Sequence, residues 1–243
     1  MTAADAAART DRGLRRPGNE DAAAAVVHPS GAAVLLLVAD GVGGLKDGAY
    51  ASNLAVDAAS DAFRGAESGF VDQVDAALVQ VNEQLYERSG GDDSRLSGTT
   101  IVALILESDK ATVLYAGDSR AYRWRAGAIE PLTRDHSWVV EQVDAGLMSP
   151  EEAEYAPQRN VITRCIGVES RIELDRRDAG PVQPGDILLL STDGLHGVVT
   201  DDEMASLLSR AGTAEEACGL LVDRANSAGG PDNIGVAVAR IPA

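Results

Sequence analysis

Only two cysteines, Cys165 and Cys218, occur in the 243 residues. They stand far apart and in no metal-ligand spacing, which argues against a disulfide-stapled fold or a thiolate metal site and points to reduced thiols in the cytoplasm. Histidine is as sparse. His28, His136 and His196 are isolated, and none has helix-face spacing to another, so each reads as a surface or core residue. Positive charge is short: 21 Lys and Arg against 38 Asp and Glu leave a net charge of −17. That balance removes a nucleic-acid backbone as a partner and suits solubility and cation binding. Long apolar runs are missing. The stretch near Leu36 is much too short to cross a bilayer, and the alanine-rich opening from Met1 to Arg9 carries Asp5 and no apolar core segment, so it is not a secretion signal. No membrane anchor is expected. No repeat, low-complexity linker or charge block marks a boundary, so residues 1–243 read as one domain.

What is present is an ordinary hydrophobic fraction, 45%, in a chain long enough to bury a substantial core. Its apolar segments change period along the chain. Ala22 to His28 and Ala32 to Ala39 read as strands joined by the turn Pro29-Ser30-Gly31. The second has no polar alternation, as a strand covered on both faces requires. Ala49 to Phe63 and Phe70 to Tyr86 read as helices; in the latter Phe70, Val74, Leu78, Val81 and Leu85 recur every three or four residues. Thr99 to Leu106, Ala111 to Ala116 and Ala121 to Arg125 form an antiparallel meander. Ser137 to Gly146 and a segment capped by Ser149 are short helices, and the stretch from His136 to Cys165 is the one plausible subdomain. Ile172 to Arg176, Ile187 to Ser191 and Ile234 to Ile241 are further strands. Thr200 with Glu203 and Thr213 with Glu216 open the last helices as capping boxes. Strand runs and helix runs segregate, which predicts an α+β fold with sheet packed on sheet and helices outside.

Three apolar strands meet an aspartate at one end. Val38-Ala39 runs into Asp40-Gly41, Leu189-Leu190-Ser191-Thr192 runs into Asp193-Gly194, and Asp232-Asn233 opens the last strand. One Asp-Gly pair is a turn; three such acids on one core make a site hypothesis. Carboxylates without Cys or paired His select Mg²⁺ or Mn²⁺. Two such ions lower the pKa of a bridging water towards about 7. A phosphate monoester is the substrate that most needs this help, since its uncatalysed hydrolysis is among the slowest reactions. A guanidinium would hold the dianion, and the residues alone leave Arg12, Arg15 and Arg16 equally eligible.

Six short motifs occur in order: Arg16-Pro17-Gly18-Asn19-Glu20-Asp21, Val38-Ala39-Asp40-Gly41-Val42-Gly43-Gly44, Ser97-Gly98-Thr99-Thr100, Ala116-Gly117-Asp118-Ser119-Arg120, Thr192-Asp193-Gly194 and Asp232-Asn233. On these the chain resembles, from about Thr10 to Arg240, the bacterial metal-dependent Ser/Thr protein phosphatases of the type 2C class. The resemblance implies a central antiparallel β-sandwich flanked by α-helices on both sides, four layers in all, with a cleft at one end. It implies that Asp40 bridges two Mg²⁺ or Mn²⁺ ions and that the Gly41 carbonyl completes one of them. Asp193 and Asp232 hold the other, and Glu20 and Asp21 act mainly through bound waters. Arg16 binds the substrate phosphate, and Arg16, Asp40, Asp193 and Asp232 are the catalytic set. Asn233 supports the site, Thr100 lines it, and Asp118 with Asp193 matches a weaker third-metal site. Residues 136–165 match a flap near the active site.

The implied reaction is hydrolysis of phosphoserine or phosphothreonine in proteins by a water or hydroxide bridging the two metals. The enzyme would be a monomer opposing a bacterial Ser/Thr kinase. One departure stands out. Where the eukaryotic pattern has a histidine after Asp-Gly, a proposed general acid, this chain has Val42, which cannot donate a proton. His196, close after Asp193, is the tempting substitute. The rival from another class is a catalytically silent phosphoprotein-binding scaffold of the same fold, which should have lost metal ligands that this chain retains.

Overall fold

In a computed structural model of the chain, residues 4–42, 45, 47–90 and 92–242 are described; Gly43 and Gly44 of the glycine motif lie outside them. Along the chain run β1 (Asp5–Asp11), β2 (Asp21–Val27), β3 (Ala33–Asp40), α1 (Gly48–Gly65), α2 (Phe70–Ser89), β4 (Ile101–Glu107), β5 (Lys110–Ala116), β6 (Arg120–Arg125) and β7 (Ala128–Pro131). There follow α3 (Trp138–Asp144), α4 (Pro150–Tyr155), β8 (Asp175–Pro181), β9 (Ile187–Ser191), α5 (Asp193–His196), α6 (Asp201–Arg210), α7 (Ala214–Ser227) and β10 (Ile234–Arg240). Among the described residues the strands form two five-stranded sheets, ordered β2-β3-β4-β5-β8 and β1-β10-β9-β6-β7. Neighbouring strands are antiparallel throughout.

The all-apolar character of β3 follows from its place between two cores. Leu35, Leu37 and Ala39 face α1 and α2, where Phe63, Val74 and Leu78 meet them. Val34, Leu36 and Val38 face the other sheet and pack with Leu188, Leu190 and Ala237. A third core lies between that sheet and α6 and α7, holding Leu189, Val236, Met204 and Leu221. The layers are therefore helix, sheet, sheet, helix, as the sandwich expectation required. Each leucine buried in this way contributes about 1.5–3 kcal/mol, so the two central strands anchor whatever their ends carry.

Helix starts follow the capping chemistry. Ser149 and Thr200 accept from the backbone N–H of Glu152 and Glu203, whose carboxylates bond back to the cap residue's N–H. Thr213 accepts from Glu216 N–H at 3.1 Å, but Glu216 turns to Gly212 N–H instead, at 2.7 Å.

Three elements depart from the sequence reading. β1 pairs along β10 from Asp5 to Asp11, yet its Ala6-Ala7-Ala8 has little intrinsic strand preference. β7 is a short return strand after the Ala126-Gly127 turn. The strand expected at Ile172 to Arg176 lies instead at Asp175–Pro181. Leu174 and Ile172 pack against the α1 and α2 core, while the strand itself is a polar sheet edge, where charge is expected.

Candidate metal centre

The cleft lies where β3 ends and β2, α5 and β10 begin. Register sets the first pair: Asp21, first in β2, stands opposite Asp40, last in β3. Gly41 then packs on the start of α1. A Cβ there would stand 2.5 Å from the Gly48 carbonyl carbon, so only glycine lets the chain pass this close. Across the sandwich, β9 ends in Thr192 and Asp193 opens α5. A Cβ on Gly194 would collide with the Asn233 carbonyl oxygen, and this contact brings Asp193 beside Asp232.

Asn233 ties the loop before β2 into place. It is buried; its Oδ1 accepts from Glu20 N–H at 2.8 Å and its Nδ2 donates to the carbonyls of Arg12 and Gly18, both at 2.8 Å. This loop delivers Arg16, whose guanidinium lies 2.5 Å from Asp232 Oδ2. Neither Arg12 nor Arg15, among the described residues, lines the cavity that Arg16 reaches.

That cavity has a volume of about 700 Å³. Arg16, Glu20, Asp40 and Gly41 line it, together with Asp118, Asp193, Asp232 and Asn233. Asp21 lies just behind, buried. Thr100, expected on the wall, is not there: it is wholly buried behind Asp40, because its side chain turns to the Asp40 backbone. Sequence reasoning missed Thr192. Its hydroxyl donates to Asp21 Oδ2 at 2.8 Å and accepts from Gly235 N–H at 2.7 Å, and its only signal was its place just before Asp193.

The carboxylates are crowded and short of positive charge. Asp40 stands opposite Asp21 in the strand register and lines the same cavity as Asp193. Burial pushes Asp40 well above the usual carboxylate range, and the charges of Asp21, Asp193 and Asp118 push it further. Burial takes Asp21 up to about 7 against the Thr192 hydrogen bond, helped by the charges of Asp193 and Asp232. Asp118 is pushed up to about 7 by burial and by Asp193. Arg16 is raised in turn, first by its bond to Asp232.

Among the described residues, no three Asp, Glu, His or Cys side chains close on one point as a finished metal shell. The donor set nonetheless fits hard divalent cations: every group facing the cavity from this cluster is an oxygen. Two oxygens of the cluster, Asp193 Oδ1 and, behind the cavity, Asp21 Oδ1, are buried with no hydrogen-bond partner among the described residues. Orphaned carboxylate oxygens in a like-charged cluster are what a cation satisfies.

Among the described residues no histidine lines this cavity, although His196 lines the groove beside it. His196 Nδ1 is 2.9 Å from Ser191 Oγ, and burial with the Arg120 charge holds its pKa well below the ordinary value. It is therefore neutral at pH 7 and is not an imidazolium donor. His136 Nδ1 accepts from Gly117 N–H at 3.1 Å and its ring stacks on Tyr115. His28 is packed edge-on by Phe63 and Phe70.

A β-sandwich between helical layers, carrying a carboxylate cluster and one guanidinium at its end, defines a class of hydrolases. Residues 15–223 match the protein phosphatase 2C family. The serine/threonine phosphatase stp of Listeria monocytogenes is 35% identical over 235 residues, 94% of this chain and 92% of the relative. The solved serine/threonine phosphatase of S. agalactiae superposes with a TM-score of 0.90 at 32% identity, covering 98% of this chain and 99% of that one. The catalytic domain of the serine/threonine protein phosphatase PstP, solved in complex with two manganese ions, gives a TM-score of 0.83 at 32% identity over 99% of both chains. The chain belongs to the protein phosphatase 2C family and is a serine/threonine phosphatase. Nothing in these likenesses supports the silent scaffold.

Proposed function

We propose that the acids of this cleft hold two Mg²⁺ or Mn²⁺ ions, with Asp40 as the shared ligand, and that the enzyme removes phosphate from phosphoserine and phosphothreonine in proteins. The observation that carries this reading is the meeting of Asp40, Asp193 and Asp232 on one cavity wall, with two buried carboxylate oxygens, one on Asp193 and one on Asp21 just behind, that have no hydrogen-bond partner among the described residues. When bound, the ions supply hydroxide at neutral pH and offset the charge of the phosphoryl oxygens. The chain's own residues do the rest. Asp40 and the Gly41 carbonyl hold the first site; Asp193 and Asp232 hold the second. Glu20 and Asp21 orient bound water, and Asp118 with Asp193 serves a weaker third ion. Arg16 leaves Asp232 to clasp the phosphate with two parallel hydrogen bonds, the geometry a guanidinium is suited to.

A second groove of about 570 Å³ shares Asp118, Asp193 and Asp232 with the first and continues past Glu154 and Arg159. This open surface beyond the acid cluster supports a protein segment as the substrate rather than a small metabolite. Residues 136–165, which supply one wall of it, act as a flap within the single catalytic domain. The substrates are the products of a Ser/Thr kinase, and the enzyme works as a cytoplasmic monomer. Cys165 and Cys218 are not joined in a disulfide, as a reducing compartment requires. No helix among the described residues is long and apolar enough to cross a membrane.

The test is turnover of a small aryl phosphate. Wild type with millimolar Mn²⁺ is active, is silenced by chelator, and loses about 10²–10³-fold in kcat as Asp40→Asn, the scale of losing a principal charge-stabilising group. Metal-independent turnover, or an Asp40→Asn variant indistinguishable from wild type, refutes the assignment.

A further inference from the structure

Asp40 and Asp118 reach the cavity from different strand ends of one sheet, and one residue between them touches both loops. Thr100 and Ser119 are 0% and 1% exposed, so neither meets the cavity. On one side Thr100 N–H donates to the Asp40 carbonyl at 2.9 Å, and Thr100 Oγ1 accepts from Asp40 N–H at 3.0 Å. Thr100 thus meets both backbone groups of Asp40, and Thr99 Oγ1 also donates to the Asp40 carbonyl at 2.9 Å, so the N–H is the group that Thr100 holds through its hydroxyl. On the other side the same Oγ1 lies 2.7 Å from Ser119 Oγ. The Thr100 Cβ and Cγ2 also fill the space where a Cβ on Gly117 would stand, 2.6 Å away, and Gly117 has φ +114°. The Gly117-Asp118-Ser119 turn is therefore seated on Thr100 through a methyl contact and a hydroxyl pair at once.

A threonine hydroxyl carries one proton and two lone pairs. One lone pair is committed to Asp40 N–H, which leaves the proton and the second lone pair for Ser119. We propose that Thr100 is a positioning residue that fixes the separation of Asp40 from Asp118, through its hydroxyl and that of Ser119, and so sets the affinity of the acid cluster for divalent cations. The proposal rests on the reading of those acids as cation ligands. Without the hydroxyl, Asp40 N–H loses the acceptor it has in the structure. The Asp40 peptide then rotates towards another partner, and the carboxylate moves with it. Groups that orient metal ligands in this way typically change metal affinity by about 10–100-fold when removed.

A bland packing role makes the opposite forecast for two variants. Thr100→Val keeps the shape and deletes the hydroxyl; Thr100→Ser keeps the hydroxyl and deletes the methyl that meets Gly117. If Thr100 only fills space, serine is the harmful change; if its hydroxyl positions Asp40, valine is.

The experiment titrates Mn²⁺ calorimetrically into the full chain as wild type, Asp40→Asn, Thr100→Val, Thr100→Ser and Ser119→Ala, with folding of each checked by circular dichroism in chelator. The expected order is wild type and Thr100→Ser within about two-fold, Ser119→Ala weaker, and Thr100→Val weaker by about ten-fold or more. The half-saturating Mn²⁺ for turnover should move in the same order. A folded Thr100→Val that binds Mn²⁺ as tightly as wild type overturns the proposal, as does a Thr100→Ser that loses as much as valine. If Thr100→Val does not fold, Ser119→Ala decides: wild-type affinity there overturns the coupling. Wild type that binds no Mn²⁺ refutes the metal reading itself, a result separable from the case where only Asp40→Asn differs from wild type.

Discussion

Thr192 Oγ1 donates to Asp21 Oδ2 across 2.8 Å, joining the end of β9 in one sheet to the start of β2 in the other. The same hydroxyl accepts from Gly235 N–H at 2.7 Å, so one side chain staples both sheets at the mouth of the cleft. Thr192→Val keeps the volume but leaves Asp21 and Gly235 N–H short of a partner in a buried place. The expected cost is about 1–3 kcal/mol of unfolding free energy, read by urea denaturation in chelator. A change below about 0.5 kcal/mol, the level of an ordinary surface substitution, would mean that water replaces the staple.

Cation binding should be visible without any substrate. A ligand that binds only the folded state stabilises it by about 2.7 kcal/mol at one hundred times its Kd. Mn²⁺ is therefore expected to raise the thermal midpoint of wild type in a concentration-dependent way, by several degrees for a domain of this size. Asp193→Ala removes a proposed ligand together with an oxygen that has no partner among the described residues, so its midpoint should be nearly insensitive to Mn²⁺ while exceeding the chelated wild type, because one repelling charge has gone. An equal Mn²⁺ response in both proteins places the cation elsewhere.

Far from the cleft, the turn before β9 carries a pH-dependent tie. Arg125 Nε and Nη2 donate to the two oxygens of Asp186 at 2.7 and 2.6 Å. Burial alone would raise the Asp186 pKa, but these bonds and the Gln183 N–H outweigh it and hold the carboxyl below its ordinary 3.8. A depressed carboxylate binds fewer protons folded than unfolded, so it stabilises the fold above pH 3.8 and loses that contribution as pH falls through the folded value. Arg125→Met should cost about 3 kcal/mol at pH 7, since it strands a buried charge. The penalty should shrink towards pH 3. Denaturation curves for both proteins across that range test the sign.

These residues show what a sequence of this kind discloses. Asp40, Asp193 and Asp232 were legible because each sits at the end of a strand that is apolar on both faces, a position where an acid has no packing reason to be. β3 was legible for the same cause. β1 was not, since Ala6-Ala7-Ala8 becomes a strand only by pairing with β10. β8 was displaced because a polar edge strand gives a weaker apolar signal than the loop residues Ile172 and Leu174 beside it. Thr100 was assigned to the cavity wall by the family resemblance, and a matching motif does not say whether a hydroxyl points to solvent or to a neighbouring backbone. His196 was close in sequence to Asp193, but its ring nitrogen is engaged by Ser191, a contact that only the fold creates.

Val42 leaves the proton for the departing serine or threonine oxygen without an obvious donor on the chain. It is half-buried and lines the same cavity as Asp40 and Arg16, so a side chain at this position faces the reacting groups. Val42→His places a titratable donor there, and its effect should depend on the leaving group. A phosphoserine or phosphothreonine peptide releases an alkoxide that needs a proton in the transition state, and positioned acids contribute about 10²–10⁴-fold where they act well. An activated aryl phosphate releases a stable phenolate and needs no donor. The expected outcome is a rise in kcat for the peptide, about ten-fold for a donor not optimised in place, with little change for the aryl ester. The peptide rate should also acquire a falling limb as pH passes the imidazole pKa, because only the protonated ring donates. An equal change for both substrates, or no new alkaline limb, would show that position 42 does not reach the leaving oxygen and that bound water protonates it unaided.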